Sequence, residues 1–378
     1  MRIWNLFFVS FGLTFCGIFH GIWDVFAEEA IPAQENPKSE TKIEDLVGYD
    51  KGFYIQSKDQ KFKLVMGGYI QPQFSWQWVE DGGDTDTFRL RRARLKWLGH
   101  AFSKNIQYLM EYDLAGSKML SAYLQLVAAD SFKFRIGQYE VPFNFEGTAS
   151  GSGLQFVDRS IAHSFFGVRD ERDTGFGVQG ELSNRKLEYY LSAFNGEAIN
   201  TLNTNNELRY VGRLVFNALG YHGLEFSDVK KSKDPVLAFG VAGMFNDILD
   251  ATTQIESKVS SVTFDTSAKY FGLGVHGAYF FQNTNPDNAT SQTDHALLAQ
   301  VGYFVIPHEL EIAARVTKIF KEGTGDQGEY TLGLNFYLFE THNVKFQMDY
   351  SALTEEDGVV AGDDRLDHRV RAQLQVKI

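Results

Sequence analysis

The segment from Lys61 to Trp78, KFKLVMGGYIQPQFSWQW, alternates in character over its whole length. Its even-numbered residues are mostly apolar, whereas its odd-numbered residues are mostly lysine, glutamine, serine and other polar or small residues. Successive side chains of a strand point to opposite faces, so the segment predicts a strand with one apolar and one polar face. A strand of this length extends to roughly 60 Å, which is long for a globular domain. About nine to eleven tilted residues cross a bilayer, so the length suits a membrane strand.

The same alternation recurs as far as residue 378. With a weak strand near Val259 to Asp265 and a basic strand at Phe88 to Phe102, we count sixteen strands. An even number of antiparallel strands is typical of single-chain outer-membrane barrels. We therefore expect an all-β fold, a transmembrane antiparallel β-barrel of about 16 strands over residues 61–378. The mean hydropathy of −0.24 is compatible with this fold, because polar residues in the lumen offset the apolar outer face.

The connections between the predicted strands alternate in length, as expected for short periplasmic turns and longer outside loops. The expected short turns are Ser103, Ala128 to Asp130, Ser183 to Arg185, Thr266 to Ser267, Val305 to Pro307, and Glu340 to Thr341. The expected outside loops are Val79 to Asp86, Glu140 to Asp173, Asn195 to Asn206, Asn283 to Thr293, and Ala352 to Asp364. Two connections break the alternation: the short outside loop Ala115 to Lys118 and the long turn Ala218 to Pro235.

The amino-terminal residues 1–27 are predicted to be a secretory signal peptide, removed near Ala27. Arg2 precedes a long apolar stretch, which leaves a retained membrane anchor as the alternative. Residues 28–60 are rich in charged residues and are expected to form a flexible leader. The single cysteine, Cys16, lies in the signal peptide, so the mature chain offers no thiol for a disulfide or a cysteine zinc site. We expect no cofactor and no metal.

The segment Phe88 to Trp97, FRLRRARLKW, is strongly basic. Its apolar residues change parity between Leu90 and Ala93, which predicts a β-bulge near Arg91 or Arg92. With that bulge Arg91 lies at the kink, and the polar face carries Arg89, Arg92, Arg94 and Lys96. Cations so close together favour a water-filled lumen with anions, and guanidinium donors match the oxygens of phosphate. The alternative is pairing with lumen carboxylates.

Other basic residues fall on the predicted polar faces: Lys63, Lys133, Arg135, Arg209, Arg213, Arg315, Arg369 and Arg371. For these isolated residues we favour pairing with carboxylates such as Glu111, Asp113, Glu181, Glu309, Glu311 and Asp349. Small residues on the same faces are expected to leave room for water: Gly67, Gly137, Gly175, Gly177, Gly272, Gly274, Gly302 and Gly333.

The longest predicted outside loop, residues 140–173, is the third on its side and is a candidate constriction loop. Its part VDRSIAHSFFGVRDERD contains charged residues that would face a permeating solute: Arg159, His163, Arg169 and Arg172. The alternative is an ordinary surface loop whose charges are solvated.

The sequence resembles the phosphate-selective porin O and P family over nearly all of the mature chain. The resemblance is carried by Gly48 to Phe74, Thr87 to Gly99, Phe134 to Glu146, Asp173 to Leu182, Ala193 to Asn200, Thr331 to Leu338 and Val344 to Ser351. It implies a sixteen-stranded homotrimer in the bacterial outer membrane that takes up phosphate or polyphosphate. It also implies an arginine ladder, matched here by Arg89, Arg91, Arg92 and Arg94, and a constriction lysine that no residue here matches.

The expected function is passive diffusion of small solutes, above all anions such as phosphate, through an outer-membrane porin in contact with lipid. We place the pore-lining and anion-binding role on Arg89, Arg91, Arg92, Arg94, Lys96, Arg135, Arg159, Arg169 and Arg172. The alternatives are a general or cation-preferring porin, a non-conducting structural or adhesin barrel, and an outer-membrane enzyme. No GxSxG, HExxH or GxxxxGK[ST] motif is present, so catalysis is not expected. No feature points to nucleic acid.

Overall fold

The computed structural model describes residues 46–80, 82–249, 252–253, 255–356 and 364–378. Within these ranges two short strands, β1 Val47–Tyr49 and β2 Phe53–Gln56, precede sixteen others. These are β3 Lys63–Val79, β4 Gly83–Ala101, β5 Ser103–Asp113, β6 Lys118–Ala129, β7 Phe132–Glu140, β8 Arg172–Leu182, β9 Leu187–Phe194, β10 Arg209–Leu219, β11 Val236–Leu249, β12 Glu256–Tyr270, β13 Leu273–Pro286, β14 Gln292–Ile306, β15 Leu310–Phe320, β16 Gln327–Leu338, β17 Val344–Glu355 and β18 Arg365–Lys377. The signal peptide and the first part of the leader lie outside the described residues.

Strands β3 to β18 form one closed antiparallel sheet. Each strand pairs with its neighbour in sequence, and β18 pairs with β3 to close the barrel. Beyond the last paired strand residues, Gly68 and Ile378 exchange two backbone hydrogen bonds of 3.0 and 2.9 Å. The predicted antiparallel barrel and its sixteen strands are confirmed.

A hairpin of β1 and β2 replaces the last part of the expected flexible leader. β2 pairs with the first residues of β3, from Phe53 opposite Met66 to Gln56 opposite Lys63. β18 pairs with β3 only further along the strand, from Tyr69 to Trp78. The hairpin therefore occupies the part of the β3 edge that β18 does not reach.

The barrel wall is apolar outside and polar inside. On β3, Ile70 is 50% exposed whereas its neighbour Gln71 is fully buried. Leu95, Leu124 and Phe239 are likewise exposed, although they are apolar, and their sequence neighbours face inward. Side chains of a strand alternate between faces, so the outward face of the barrel is apolar and the inward face is polar. The predicted parity of β3 is confirmed.

Most connections match their predicted length, but several boundaries differ. The turn expected at Thr266 to Ser267 lies instead at Phe271 and Gly272, where both φ angles are positive, as in a two-residue hairpin. Ser267 and Lys269 continue β12 as inward-facing buried residues. The outside loops expected at 79–86 and 283–293 are also shorter, because the strands that flank them extend further.

Two long connections fold toward the lumen. Residues 141–171, between β7 and β8, are called the inner loop here; they contain α1 Phe145–Thr148, α2 Ile161–Phe166 and a 3-10 turn Arg169–Glu171. Residues 220–235, between β10 and β11 at the end with the short turns, are called the inner turn. In the described part of the chain, no helix is both long and apolar enough to span a membrane.

Candidate functional site

The inner loop packs against inward-facing apolar residues of the barrel wall. Phe166 of α2 stacks on Phe280 of β13 with 5.5 Å between ring centroids. Phe143 and Ala162 join the same buried cluster, which also includes Ile319 of β15. The exclusion of this apolar surface from water holds the loop inside the lumen. The candidate site therefore lies between the inner loop, which is held in place, and the part of the barrel wall that the loop does not cover.

Capping side chains fix the local shape of the inner loop. Ser160 begins α2, and its hydroxyl accepts a 3.1 Å hydrogen bond from the backbone N–H of His163. Glu146 of α1 accepts a 3.1 Å hydrogen bond from the backbone N–H of Ser160. The two short helices are thus tied together, which places the segment between them, residues 149–160, along the wall of β15 to β18 and β3 to β4.

The predicted bulge in the basic strand is confirmed. Gln71 of β3 lies opposite Arg92, and Pro72 lies opposite Leu90, so Arg91 is the extra residue. An extra residue shifts the parity of the strand, which turns Arg89 and Arg92 to the same inner face. Arg91 therefore also reaches the lumen from the kink.

Asp158 of the inner loop lies at the centre of several of these guanidinium groups. Its Oδ1 lies 2.8 Å from nitrogens of both Arg91 and Arg92, and its Oδ2 lies 3.5 Å from Nη1 of Arg371. Arg89 is more distant, at 4.0 Å. We call the surrounding group the arginine cluster: Arg89, Arg91, Arg92, Arg315, Arg369 and Arg371.

The other members of the cluster have partners of their own. Arg371 makes a bidentate pair with Asp349, with bonds of 2.7 and 2.8 Å. Glu329 binds Arg315 at 2.9 Å and Arg369 at 3.4 Å. Six guanidinium groups thus share three carboxylates, those of Asp158, Glu329 and Asp349. The pairing interpretation for the isolated cations of β15 and β18 is confirmed.

Arg94 and Lys96, further along the basic strand, pair with carboxylates of β5. Arg94 lies 3.5 Å from Glu111 and 3.8 Å from Asp113, and Lys96 lies 3.7 Å from Glu111. Arg172 at the start of β8 binds the same Glu111 at 3.1 Å and Glu140 at 2.9 Å. Arg94 and Arg172 are buried, and both charges have carboxylate partners.

The remaining predicted site residues fall in different places. Arg159 donates to the carbonyls of Glu146 and Ala149, so it holds the inner loop together. Arg169 is exposed on the same loop. Arg135 of β7 lies over the rings of Tyr123 and Tyr139, at 4.3 and 5.2 Å from their centroids, and donates to Gln125.

The inner turn narrows the lumen at the end with the short turns. Phe226 packs edge-on against Phe145 of the inner loop, with 4.8 Å between ring centroids. The Ser227 hydroxyl donates a 2.9 Å hydrogen bond to Glu311 of β15. Glu311 also accepts a 2.6 Å bond from Gln155 of the inner loop. One buried carboxylate therefore ties both inward segments to the wall.

Three glycines expected to leave room for water instead make room for these segments. A methyl group on Gly302 would overlap the side chain of Gln155, and one on Gly333 would lie 2.9 Å from the ring of Phe156. At Gly274 it would overlap the carbonyl of Phe226. The prediction that these three glycines leave room for water is therefore wrong, because atoms of the inner loop and the inner turn occupy the space next to them.

A cavity of about 570 Å³ remains beside the two inward segments. It is lined on one side by the inner loop and the inner turn and on the other by strands of the β4 to β12 wall. Cationic and acidic side chains both line it. The cationic ones are Lys96, Arg135, Arg172, Arg213 and Lys377, and the acidic ones are Glu140, Glu188, Glu225 and Asp265. This space is the candidate path for solutes past the inner loop.

Two carboxyl groups of the inner loop, those of Asp158 and Glu171, stay ionised at low pH. Burial opposes ionisation of Asp158, but Arg92 and Arg91 outweigh it and hold the pKa of this carboxyl well below its usual range. Glu171 is likewise buried, and Arg159 and Arg172 lower its pKa. Because the folded pKa values are depressed, the stabilisation is complete above the ordinary carboxyl pKa and declines only as pH falls below it. Burial, with Arg159 nearby, lowers the pKa of His163, so this ring is neutral at pH 7.

Sequence reasoning missed Asp158, Glu311 as a tie point, and the inward course of the inner turn. A signal existed in the strand HGAYFF, where both Tyr279 and Phe280 are large and apolar although they face opposite sides. An apolar side chain on the inner face, such as Phe280, indicates that another segment covers it. The apolar stretch from Leu154 to Val157 is a second signal, since an exposed loop would not favour it.

A closed sixteen-stranded barrel with an apolar outside, a polar inside and an inward-folded third outer loop defines an outer-membrane porin. A profile of the family described as phosphate-selective porin O and P matches residues 67–245 and 245–378. The chain belongs to the phosphate-selective porin O and P family. No curated protein sequence matches it significantly.

Solved porin structures share the fold at low sequence identity. The anion-selective porin from Comamonas acidovorans is 11% identical with a TM-score of 0.61, over 83% of this chain and 99% of that one. The outer membrane channel DcaP of Acinetobacter baumannii is 12% identical with a TM-score of 0.62, over 86% and 99%. The trimer form of OmpT from Vibrio cholerae is 12% identical with a TM-score of 0.51, over 82% and 99%. At these identities the likeness concerns the fold alone.

Proposed function

We propose that this porin is a water-filled channel for passive diffusion of small anions, with phosphate as a preferred solute. The supporting observation is the arginine cluster, in which six guanidinium groups share three carboxylates and leave an excess of positive charge. The field at the narrow part of a pore depends on such local charges. The net charge of −12 includes the exposed loops and turns, so it does not oppose an anion preference in the lumen.

Solute access to the cluster is from the end with the longer loops. The side chain of Arg89 is 48% exposed and that of Arg91 is 35% exposed, whereas Arg92 beneath them is 2% exposed. An anion entering the barrel would meet Arg89 and Arg91 first. From there the proposed path passes Arg135 and Lys96 along the cavity.

Reversal potentials in planar bilayers under a KCl gradient test the proposed function. We expect the potential to take the sign of chloride permeation, and added phosphate to reduce the chloride current. A cation-directed potential that phosphate leaves unchanged would contradict the anion and phosphate proposals. The porin fold would stand in that case.

Neutralising Arg89 and Arg91 together is expected to lower the anion-to-cation permeability ratio about threefold to tenfold. Both side chains are partly exposed, so their charges act on the solute through a medium of lower effective dielectric than bulk water. The measurement is the reversal potential of the double variant Arg89→Gln, Arg91→Gln. The comparison is Arg92→Gln, Arg94→Gln, whose buried charges are already paired; there we expect a smaller change in selectivity and a larger loss of stability. The reverse ranking would show that the buried pair sets the selectivity.

We also propose a homotrimer in the bacterial outer membrane, exported by a signal peptide that is removed near Ala27. The apolar outer face of the barrel supports contact with lipid, and a structural relative exists in a trimer form. Crosslinking of the protein in outer-membrane vesicles tests the trimer, and a purely monomeric pattern would contradict it.

A further inference from the structure

The carboxylate of Asp158 occupies a position that resembles a bound oxyanion. It contacts Arg91 and Arg92 at 2.8 Å and Arg371 at 3.5 Å, and its side chain is only 17% exposed. Guanidinium groups converging on one small anion form the arrangement that recognises phosphate. In this chain the anion in that arrangement is covalently part of the inner loop.

Two of the three guanidinium groups are held independently of Asp158. Arg92 donates a 2.8 Å bond to Gln71, which also donates a 2.6 Å bond to Gln375 of β18. Arg371 is fixed by its bidentate pair with Asp349. Both arginine side chains are almost fully buried, so their positions do not depend on the occupant of the site. The donors are therefore preorganised for an oxyanion.

We propose that Asp158 is an intramolecular competitor that occupies the oxyanion site of Arg91, Arg92 and Arg371 and thereby limits how tightly a permeating anion binds there. This inference rests on the proposed function and specifies the residue that adjusts the affinity of the porin for the permeating anion. A solute of the right chemistry is a small tetrahedral oxyanion, with inorganic phosphate as the probe. The partly exposed Arg89 and Arg91 give it a route to the site.

The tether makes Asp158 an effective competitor. A group held on a short segment has an effective concentration on the order of millimolar or higher at its site. Its charge persists across the usual pH range, because Arg92 and Arg91 lower the pKa of this carboxyl despite its burial. A free anion at low concentration then displaces it only briefly, which favours passage of anions over trapping.

The variant Asp158→Asn tests this proposal, because it removes the charge and keeps the shape. We expect phosphate to reduce the chloride current of this variant at a concentration about tenfold lower than for the unmodified porin. The matched control is Asp170→Asn, which makes the same change in the same loop, where Asp170 pairs with Lys118 instead of the cluster. For the control we expect a half-blocking concentration within about twofold of the unmodified porin.

Binding of labelled phosphate to the purified trimer or monomer in detergent provides a readout that does not depend on conductance. Tighter phosphate binding by Asp158→Asn alone supports the proposal. Equal behaviour of the two variants overturns it, as does a larger conductance of Asp158→Asn without tighter phosphate binding, which would mean that Asp158 only anchors the loop. If the unmodified porin and both variants select cations and ignore phosphate, the proposed function itself fails. If the unmodified porin selects anions and Asp158→Asn changes nothing, only the present inference fails.

Discussion

Replacing Glu311 with alanine is expected to destabilise the porin by about 3 to 5 kcal/mol, because several buried donors lose their acceptor at once. Glu311 accepts hydrogen bonds from Gln155 at 2.6 Å and from Ser227, Asn335 and Tyr337 at 2.9 Å. Water cannot easily replace it, since the residue is fully buried. The midpoint of thermal unfolding in detergent measures the loss, and open-channel current noise measures the freed motion of the inner loop and the inner turn.

Glu309→Ala is the matched control for this experiment. Glu309 lies two positions away, but it is exposed in the connection before β15. We expect its unfolding midpoint and current noise to match those of the unmodified porin. Glu311→Gln should fall between the two, because the amide keeps one acceptor oxygen but adds donors to a site that already has four. If Glu311→Ala had the same unfolding midpoint and the same current noise as the control, the inner loop and the inner turn would be held by apolar packing alone.

Replacing residues 220–236 with an Asn-Gly turn is expected to raise the single-channel conductance roughly twofold or more, since pore diameter governs the flow of ions. Leu219 and Leu237 are already paired across β10 and β11, so a short turn can join the strands. The replacement removes Phe226 and Tyr221 from the lumen. It also removes Glu225 from the cavity lining. Conductance in symmetric KCl is the measurement.

Point variants of the inner turn show how much of the effect on conductance comes from its large side chains and how much from its length. Phe226→Ala removes the ring that packs on Phe145, and we expect part of the conductance gain. Lys233→Ala changes an exposed residue of the same segment and should leave the conductance unchanged. If the shortened porin conducted no better than the Lys233→Ala porin, the inner turn would not limit the flow.

The wall of the barrel could be predicted because it depends on local rules. Alternation along β3 assigns Ile70 to lipid and Gln71 to the lumen without knowledge of any other segment. The parity change between Leu90 and Ala93 likewise predicted a bulge near Arg91 or Arg92, and the structure has it at Arg91. Both features follow from the geometry of a single strand, so one sequence is sufficient to find them.

The contents of the lumen could not be predicted in the same way. The contact between Asp158 and Arg371 joins the inner loop to a strand more than 200 positions away, and the hydrogen bond from Gln71 to Gln375 joins two strands across 304 positions. Charge alone is also insufficient, because nothing in the sequence shows that Arg159 and Arg172 are tied to carbonyls and carboxylates. A cation can meet a solute only if no carboxylate in the lumen pairs with it. That pairing depends on the folded structure and not on the sequence near the cation.

The pairing of β18 with β3 has a consequence for how each copy of this porin is made. Neighbouring hairpins such as β12 and β13 bring together residues that are close in sequence, but closure requires two segments some 300 positions apart to meet. Such distant pairing is slow compared with hairpin formation, and an unpaired strand edge invites association with other chains in the meantime. β2, which is joined to β3 by a few residues, can shield the four positions from Lys63 to Met66 from the start. The hairpin of β1 and β2 thus shortens the unpaired edge of β3 that an incomplete barrel exposes before β18 pairs with it.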